Sequence, residues 1–291
     1  MEVIRDRGVF AAACRAARAG GSSVGLVPTM GALHEGHRSL LDRARETDGF
    51  VAMTLFVNRL QFGDAADLRS YPGKLDDDLA VAESAGCDVV FAPSEREMYP
   101  NGDPEVTIDP GPLGDRLEGA ARPGHFRGVL TVVAKLFDLA GPCRAYFGEK
   151  DAQQLELVRR MVRDLDVPAE VVACPTVRAP DGLALASRNA RLSPAERAAA
   201  PVVFRALSAG VFVIGAGERD AGLVRAQIEE VLAAEPLAGT DYVALVDDAT
   251  WEEARTVPEV ARLLVAARIG DVRLVDGVCV RPSSAAGERA E

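Results

Sequence analysis

The chain has only three histidines and five cysteines in 291 residues, and no Cys-x-x-Cys pair. Cys14, Cys87, Cys143, Cys174 and Cys279 are scattered, so neither a zinc ribbon nor a disulfide framework is indicated, and a reducing cytoplasm is the expected setting. Positive charge is not in excess: 33 Lys and Arg against 44 Asp and Glu give a net charge of −11, which argues against a broad nucleic-acid or anionic-membrane surface. Neither an N-terminal signal pattern nor an apolar run of about twenty residues is evident, so secretion and membrane insertion are not expected. What is present is a 48% hydrophobic chain, long enough to bury a sizeable core and to form about two domains.

Apolar runs at 24–27, 50–57, 88–92, 145–147 and 170–173 read as buried strands, with helical patterns at 38–46, 75–84, 129–139 and 152–165 between them. Continuous rather than alternating apolar strands predict an α/β fold with a Rossmann-like parallel sheet, where ligands sit beyond the carboxyl ends of the strands. The pattern changes after Pro175. Asp181-Gly182 marks a turn, Ser193-Pro194 starts a helix, and a longer helix at 222–234 precedes shorter strands at 242–246, 263–267 and 272–275. The expected division is a first domain at 1–176 and a smaller C-terminal α+β domain at 177–291. Gly215–Gly217 reads as a loop and Pro282–Glu291 as a frayed tail.

The segment Val24-Gly-Leu-Val-Pro28-Thr29-Met30-Gly-Ala-Leu-His34-Glu-Gly36-His37 runs from a strand through a glycine turn into a helix. Glu35 falls in the first turn, where the helix dipole favours an acid. His34 and His37 then share one face, and the unpaired N–H groups of a helix start favour a polyphosphate. Gly36 is read as letting a ligand approach the backbone. Taken alone, a His-x-x-His pair is also compatible with metal ligation or with plain surface histidines. No further Cys or His lies nearby, so a closed structural zinc site is not expected.

Four other segments carry candidate chemistry. Asn58 and Gln61 end the second strand, where amides either read substrate hydroxyls or cap a loop. Tyr71-Pro72 leads towards Asp76-Asp77-Asp78 at a helix start, a run that either complements the dipole or supplies a carboxylate to magnesium. Arg122-Pro-Gly-His125-Phe-Arg-Gly128 reads as a cover over a site or as a surface loop. At Gly148-Glu-Lys150-Asp151-Ala-Gln153-Gln154 another strand ends in glycine and enters a helix, so Lys150 can meet phosphate and Asp151 can accept from ribose hydroxyls. Ser187-Arg188-Asn189, after the first domain, either binds phosphate through the Arg188 fork or is a structural turn.

Taken in order, and continuing to Leu264-Val-Ala-Ala-Arg-Ile-Gly, these motifs resemble the pantothenate synthetase (pantoate–β-alanine ligase) family along nearly the whole chain. The family is similar to class I aminoacyl-tRNA synthetases in its Rossmann-like nucleotide fold, and it normally forms homodimers. The resemblance implies attack of pantoate on the α-phosphorus of Mg-ATP, giving pantoyl adenylate and pyrophosphate, and then displacement of AMP by β-alanine. It implies that His34 and His37 contact ATP, that Lys150, Ser187 and Arg188 bind its phosphates, and that Gly148 and Asp151 hold the ribose. Pro28, Met30 and Val177 would line the adenylate site, with Thr29 and Asn58 beside the substrate. Gln61 and Gln154 would bind the pantoate hydroxyls, and Asp77 and Asp78 would associate with Mg2+. No nucleic-acid or membrane partner is implied.

Departures from the family pattern cluster near these residues. Arg59-Leu60 stands where proline followed by threonine or methionine is common, and Ala152 replaces an aromatic residue. Leu185-Ala186 takes the place of Met-Ser, so one phosphate-facing hydroxyl is missing. A lost hydrogen bond to a charged group, about 1.5–3 kcal/mol, predicts adenylation slower by one to two orders of magnitude. A diverged amide ligase for another hydroxy acid or amine and a non-catalytic nucleotide binder are therefore kept as alternatives.

Overall fold

The computed structural model describes residues 1–63, 68, 69, 71 and 73–282. Pro72 and residues 283–291, read above as a helix lead-in and a tail, lie outside the described residues. The chain forms two compact units, Met1–Val177 with Leu185–Ser187, and Arg178–Ala184 with the chain from Arg188 onward.

The first unit is built on six parallel strands: β1 Glu2–Ile4, β2 Val24–Thr29, β3 Phe50–Leu55, β4 Val89–Phe91, β5 Cys143–Gly148 and β6 Ala169–Cys174. Their order in the sheet is β1-β4-β3-β2-β5-β6. The helices are α1 Arg7–Ala19, α2 Glu35–Thr47, α3 Leu75–Ser84, α4 Glu95–Met98, α5 Glu118–Ala121, α6 His125–Ala140 and α7 Ala152–Asp164. The central strands are buried along almost their whole length, which is why they read as unbroken apolar runs. β1 and α1 were not legible. β1 is a three-residue edge strand, and α1 buries only Phe10, Ala11 and Cys14 behind an Asp6 cap that accepts from the Val9 N–H.

The strand order places the site. From β2 the chain builds outward through β3 and β4 on one side, then returns to place β5 on the other side of β2. The switch point therefore lies between β2 and β5. These two strands are paired only over Gly25–Leu26 and Arg144–Ala145, while β2 runs on to Thr29 and β5 to Gly148. A crevice at this position is the general ligand site of open parallel sheets.

The second unit carries α8 Pro194–Ala199, α9 Val202–Gly215, α10 Ala221–Ala233 and an antiparallel sheet of β7 Ala238–Asp247, β8 Ala261–Ile269 and β9 Val272–Val280. Ser193 caps α8 in a reciprocal box with Glu196. Among the described residues, Pro194–Gly215 is one stretch apolar and long enough, by length and composition, to cross a membrane. This revises the expectation that no such run exists. The apolarity has a local cause, since Val203, Ala206, Leu207 and Ile214 belong to the core beneath β8 and α10.

Candidate active site

The turn after β2 is held by side chains that the sequence had suggested for other roles. Gly31 and Ala32 both adopt positive φ, +84° and +54°, the second strained for a residue with a side chain. Asp78, buried at the start of α3, fixes them: its carboxylate accepts from the Ala32 N–H at 3.0 Å and from the Leu33 N–H at 2.7 Å. The Thr29 hydroxyl donates to Thr54 O at 2.7 Å and accepts from the Gly31 N–H at 3.3 Å. Thr29 is therefore a brace for the turn rather than a substrate contact, because its single proton is already committed.

The same geometry corrects the magnesium expectation. Both Asp78 oxygens are occupied by backbone donors, Asp77 is exposed one residue away, and among the described residues no group of three or more His, Cys, Asp or Glu could hold a metal. The protein side chains do not fit a resident cation at Asp77 and Asp78. Asp78→Ala would strand two N–H donors and is expected to lower unfolding stability by about 3 kcal/mol in denaturant titration, with the Mg2+ dependence of the rate unchanged. A weakened Mg2+ dependence at intact stability would restore the metal role.

His34 is the cap of α2. Its Nδ1 accepts from the Gly36 N–H at 3.1 Å, and the His37 Nδ1 accepts from the His34 N–H at 3.4 Å, a capping box made by two imidazoles. Because each Nδ1 accepts, each proton is assigned to Nε2. Gly36 is needed for this cap rather than for a ligand, since a Cβ there would lie 2.8 Å from the His34 ring. Burial pushes His34 down to about 4 and His37 to about 3, reinforced by the Lys150 charge on both and opposed by Asp151. The outcome is two neutral Nε2–H donors at a helix start, their rings 4.2 Å apart.

Across the switch point, Gly148 ends β5, and a Cβ on it would meet nothing within 4 Å, so space is open there. Lys150 is largely shielded and pairs with the exposed Asp151 at 2.9 Å. The Asp151 charge acts on all three histidines, which ties the β5 loop to the start of α2 and to His125. Gln154 sits half-buried on the first turn of α7. Its neighbour Gln153, not singled out by the sequence, is buried and donates to Leu113 O and Arg116 O while accepting from the Glu118 N–H. It anchors the preceding loop.

The acid side is organised around Gln61 in the 3-10 turn Arg59–Gln61. Asn58 Nδ2 donates to Gln61 Oε1 and to Gly128 O, both at 3.0 Å, and Asn58 Oδ1 accepts from the Tyr99 hydroxyl at 2.9 Å. With both donor protons used and 1% exposure, Asn58 positions Gln61 rather than touching substrate, which corrects its assignment. The Gln61 NH2 group faces the Met30 thioether at 3.0 Å. The segment 122–128 lies behind this turn: Arg122 donates to Gln61 O at 3.2 Å, and His125 Nδ1 donates to the same oxygen at 2.8 Å. Arg59 pairs with Glu95 and Asp103, away from the Gln61 amide. Ala152 is buried at the start of α7.

The last expected group is divided between the units. Val177 accepts the Leu185 N–H at 3.0 Å, and Ser187 Oγ donates to Ala32 O at 3.0 Å, which holds 185–187 with the first unit. The Ser187 proton is thus given to the turn, so phosphate could receive it only by exchange of that bond. Arg188 belongs to the second unit, and Asn189 there donates to Ala184 O at 2.9 Å. Pro28 is half-buried within β2.

Neutral buried histidines also set a pH dependence. Unfolded imidazoles protonate near 6.5, whereas burial holds the folded His125 at about 4, so acidification protonates the unfolded chain first. The stability present above pH 6.5 is then lost as pH falls towards 4. Each such histidine contributes a slope of about 1.4 kcal/mol per pH unit well below pH 6.5. Denaturant titrations between pH 6 and 5 are expected to show this fall, and His125→Gln is expected to reduce the slope by about that amount. An unchanged slope would contradict a neutral His125.

The fold and site define a nucleotide-binding α/β protein of the Rossmann-like type, with a capped histidine pair at the end of β2 and a lysine after β5. Residues 2–279 match the family model described as pantoate-beta-alanine ligase. The pantothenate synthetase of Roseiflexus castenholzii is 53% identical over 276 residues, covering 95% of this chain and 98% of that protein. A pantothenate synthetase crystal structure from Thermus thermophilus superposes with a TM-score of 0.89 at 47% identity, covering 96% and 99% of the two chains. A pantoate-beta-alanine ligase from Francisella tularensis, complexed with beta-gamma ATP and beta-alanine, gives 0.79 at 33% identity, covering 96% and 97%. The chain belongs to the pantoate-beta-alanine ligase family.

Proposed function

We propose that the chain condenses pantoate with β-alanine at the expense of Mg-ATP, through pantoyl adenylate. The observation that carries this reading is the pair of neutral, cap-locked imidazoles beside Lys150 and Asp151 at the β2/β5 switch point. In the first step a pantoate carboxylate oxygen attacks the α-phosphorus and pyrophosphate leaves. Two Nε2–H donors and the Lys150 ammonium then meet charge that grows on the phosphate oxygens, a preorganised arrangement needing little rearrangement at the moment of reaction. In the second step the β-alanine amine attacks the acyl carbon, the carbon–oxygen bond to AMP breaks, and the amine proton is released. Correct placement of a free amine against a mixed anhydride supplies much of that acceleration.

Met30, Val177, Gly148 and Asp151 would hold the nucleoside, Pro28 would line the adenylate, and Gln61 and Gln154 would hold the acid. Arg188 would bring its forked donor to the phosphates from the second unit, which in this reading covers the site. Magnesium enters with ATP as part of the substrate. A homodimer working in the cytoplasm completes the reading, carried over from the family resemblance. The pairing of Arg59 with Glu95 and Asp103 favours pantoate over a different acid, since it leaves Gln61 to the substrate. The test is incubation of the purified chain with Mg-ATP, pantoate and β-alanine, followed by mass spectrometry. Equal amounts of AMP and pantothenate are expected, and absence of pantothenate would reject the reading.

A further inference from the structure

Gln61 is useful to an acid substrate only if its NH2 end, rather than its carbonyl, is presented. Nothing in Gln61 itself decides this, because the two ends of an amide have nearly the same shape. The decision comes from behind. Asn58 must direct Nδ2 at Gly128 O, a fixed acceptor, and the same nitrogen then donates to Gln61 Oε1. The remaining end of Asn58, Oδ1, is buried and needs a donor. The Tyr99 hydroxyl supplies it at 2.9 Å from the chain just beyond α4. Tyr99 is itself 5% exposed, with its ring packed at 6.0 Å from that of Phe56 and below the Lys135 ammonium at 5.8 Å, so its hydroxyl has a fixed place.

We propose that Tyr99 is a positioning residue for the acid substrate: its hydroxyl locks the Asn58 amide, and through it turns the Gln61 NH2 group towards pantoate. The relay runs Tyr99 O–H to Asn58 Oδ1, then Asn58 Nδ2–H to Gln61 Oε1, which leaves Gln61 Nε2 beside Met30. It rests on the reading that Gln61 binds the acid. Because the chain of bonds ends at Gln61 and at no nucleotide-side residue, its effect is selective. Removing the hydroxyl should weaken the acid and leave ATP alone.

Steady-state kinetics of Tyr99→Phe, Gln61→Ala and the double variant test this, with thermal melts confirming the fold of each. Tyr99→Phe is expected to raise KM for pantoate about fivefold, the scale of one buried hydrogen bond, with kcat and KM for ATP within about twofold of the parent. In the Gln61→Ala background the same change should have no further effect, since two residues acting through one contact are not additive. Asn58→Asp serves if Tyr99→Phe melts early: it keeps the acceptor for Tyr99 but replaces the donor to Gln61, and it should raise KM for pantoate while sparing KM for ATP. Unchanged KM for pantoate in Tyr99→Phe, equal losses for ATP and acid, or additivity with Gln61→Ala would each overturn the proposal. If Gln61→Ala itself leaves KM for pantoate unchanged, the assignment of Gln61 fails first and the proposal falls with it.

Discussion

Replacing Lys150 by alanine is expected to reduce pantoate-dependent ATP–pyrophosphate exchange by about two to three orders of magnitude while leaving the fold intact, the scale seen when one preorganised charge-stabilising donor is removed. The two effects separate because of where Lys150 sits. Its partner Asp151 is more than half exposed, so that ion pair contributes less than about 1 kcal/mol to stability. Its ammonium nevertheless lies at the carboxyl end of β5, close enough to His34 and His37 to lower both of their pKa values. With that ammonium gone, the donors left at the start of α2 would be two neutral imidazoles. Circular dichroism should be unaltered. Exchange at the parental rate would refute the role given to Lys150.

Gly128→Ala is expected to act through the acid side, and to do so despite favouring helix. Alanine gains roughly 1 kcal/mol over glycine within a helix. Here, however, the added Cβ would fall 2.3 Å from Leu60 O, 2.4 Å from Leu60 C and 2.7 Å from Gln61 N, all backbone atoms of the 3-10 turn that carries Gln61. Ordinary contact would need a shift of about 1 Å, and overpacking of this kind costs about 1–3 kcal/mol or more. The clash therefore outweighs the propensity. A 1 Å misplacement at a reacting site can cost about 100-fold, so kcat/KM for pantoate should fall by about that factor and the melting temperature should drop. A variant with raised stability and parental kcat/KM would show that α6 does not set the position of Gln61.

The elements nearest the site were legible because each couples a buried parallel strand to a glycine-containing turn and an amphipathic helix. Val24–Thr29 leading into α2 and Cys143–Gly148 leading into α7 show this, with strand and helix periodicities meeting at a glycine. The helix Val202–Gly215 was missed for the opposite reason. It buries Val203, Leu207 and Ile214, yet leaves Phe212 exposed, so its apolar residues trace no single stripe.

Side-chain roles were legible where chemistry and local spacing coincide, as in the His34/His37 cap. They were misread where the partner is remote. Asn58 is satisfied by Tyr99 and Gly128, Thr29 by Thr54, and Asp78 by Ala32 and Leu33, pairings set by sheet order rather than by neighbouring sequence. The segment 122–128 illustrates the same limit: its glycines signalled a close approach, but only the tertiary structure shows that the surface approached is the back of Gln61.

The central claim is that the acid is activated by direct transfer to the α-phosphorus of ATP. Pantoate labelled with 18O in both carboxylate oxygens, incubated with the enzyme, Mg-ATP and β-alanine, tests it most directly. An adenylate passes one of those oxygens to phosphorus when the amine displaces AMP, so the AMP formed should carry one 18O and the pantothenate should keep one in its new amide. Unlabelled AMP accompanying labelled pantothenate would contradict the account.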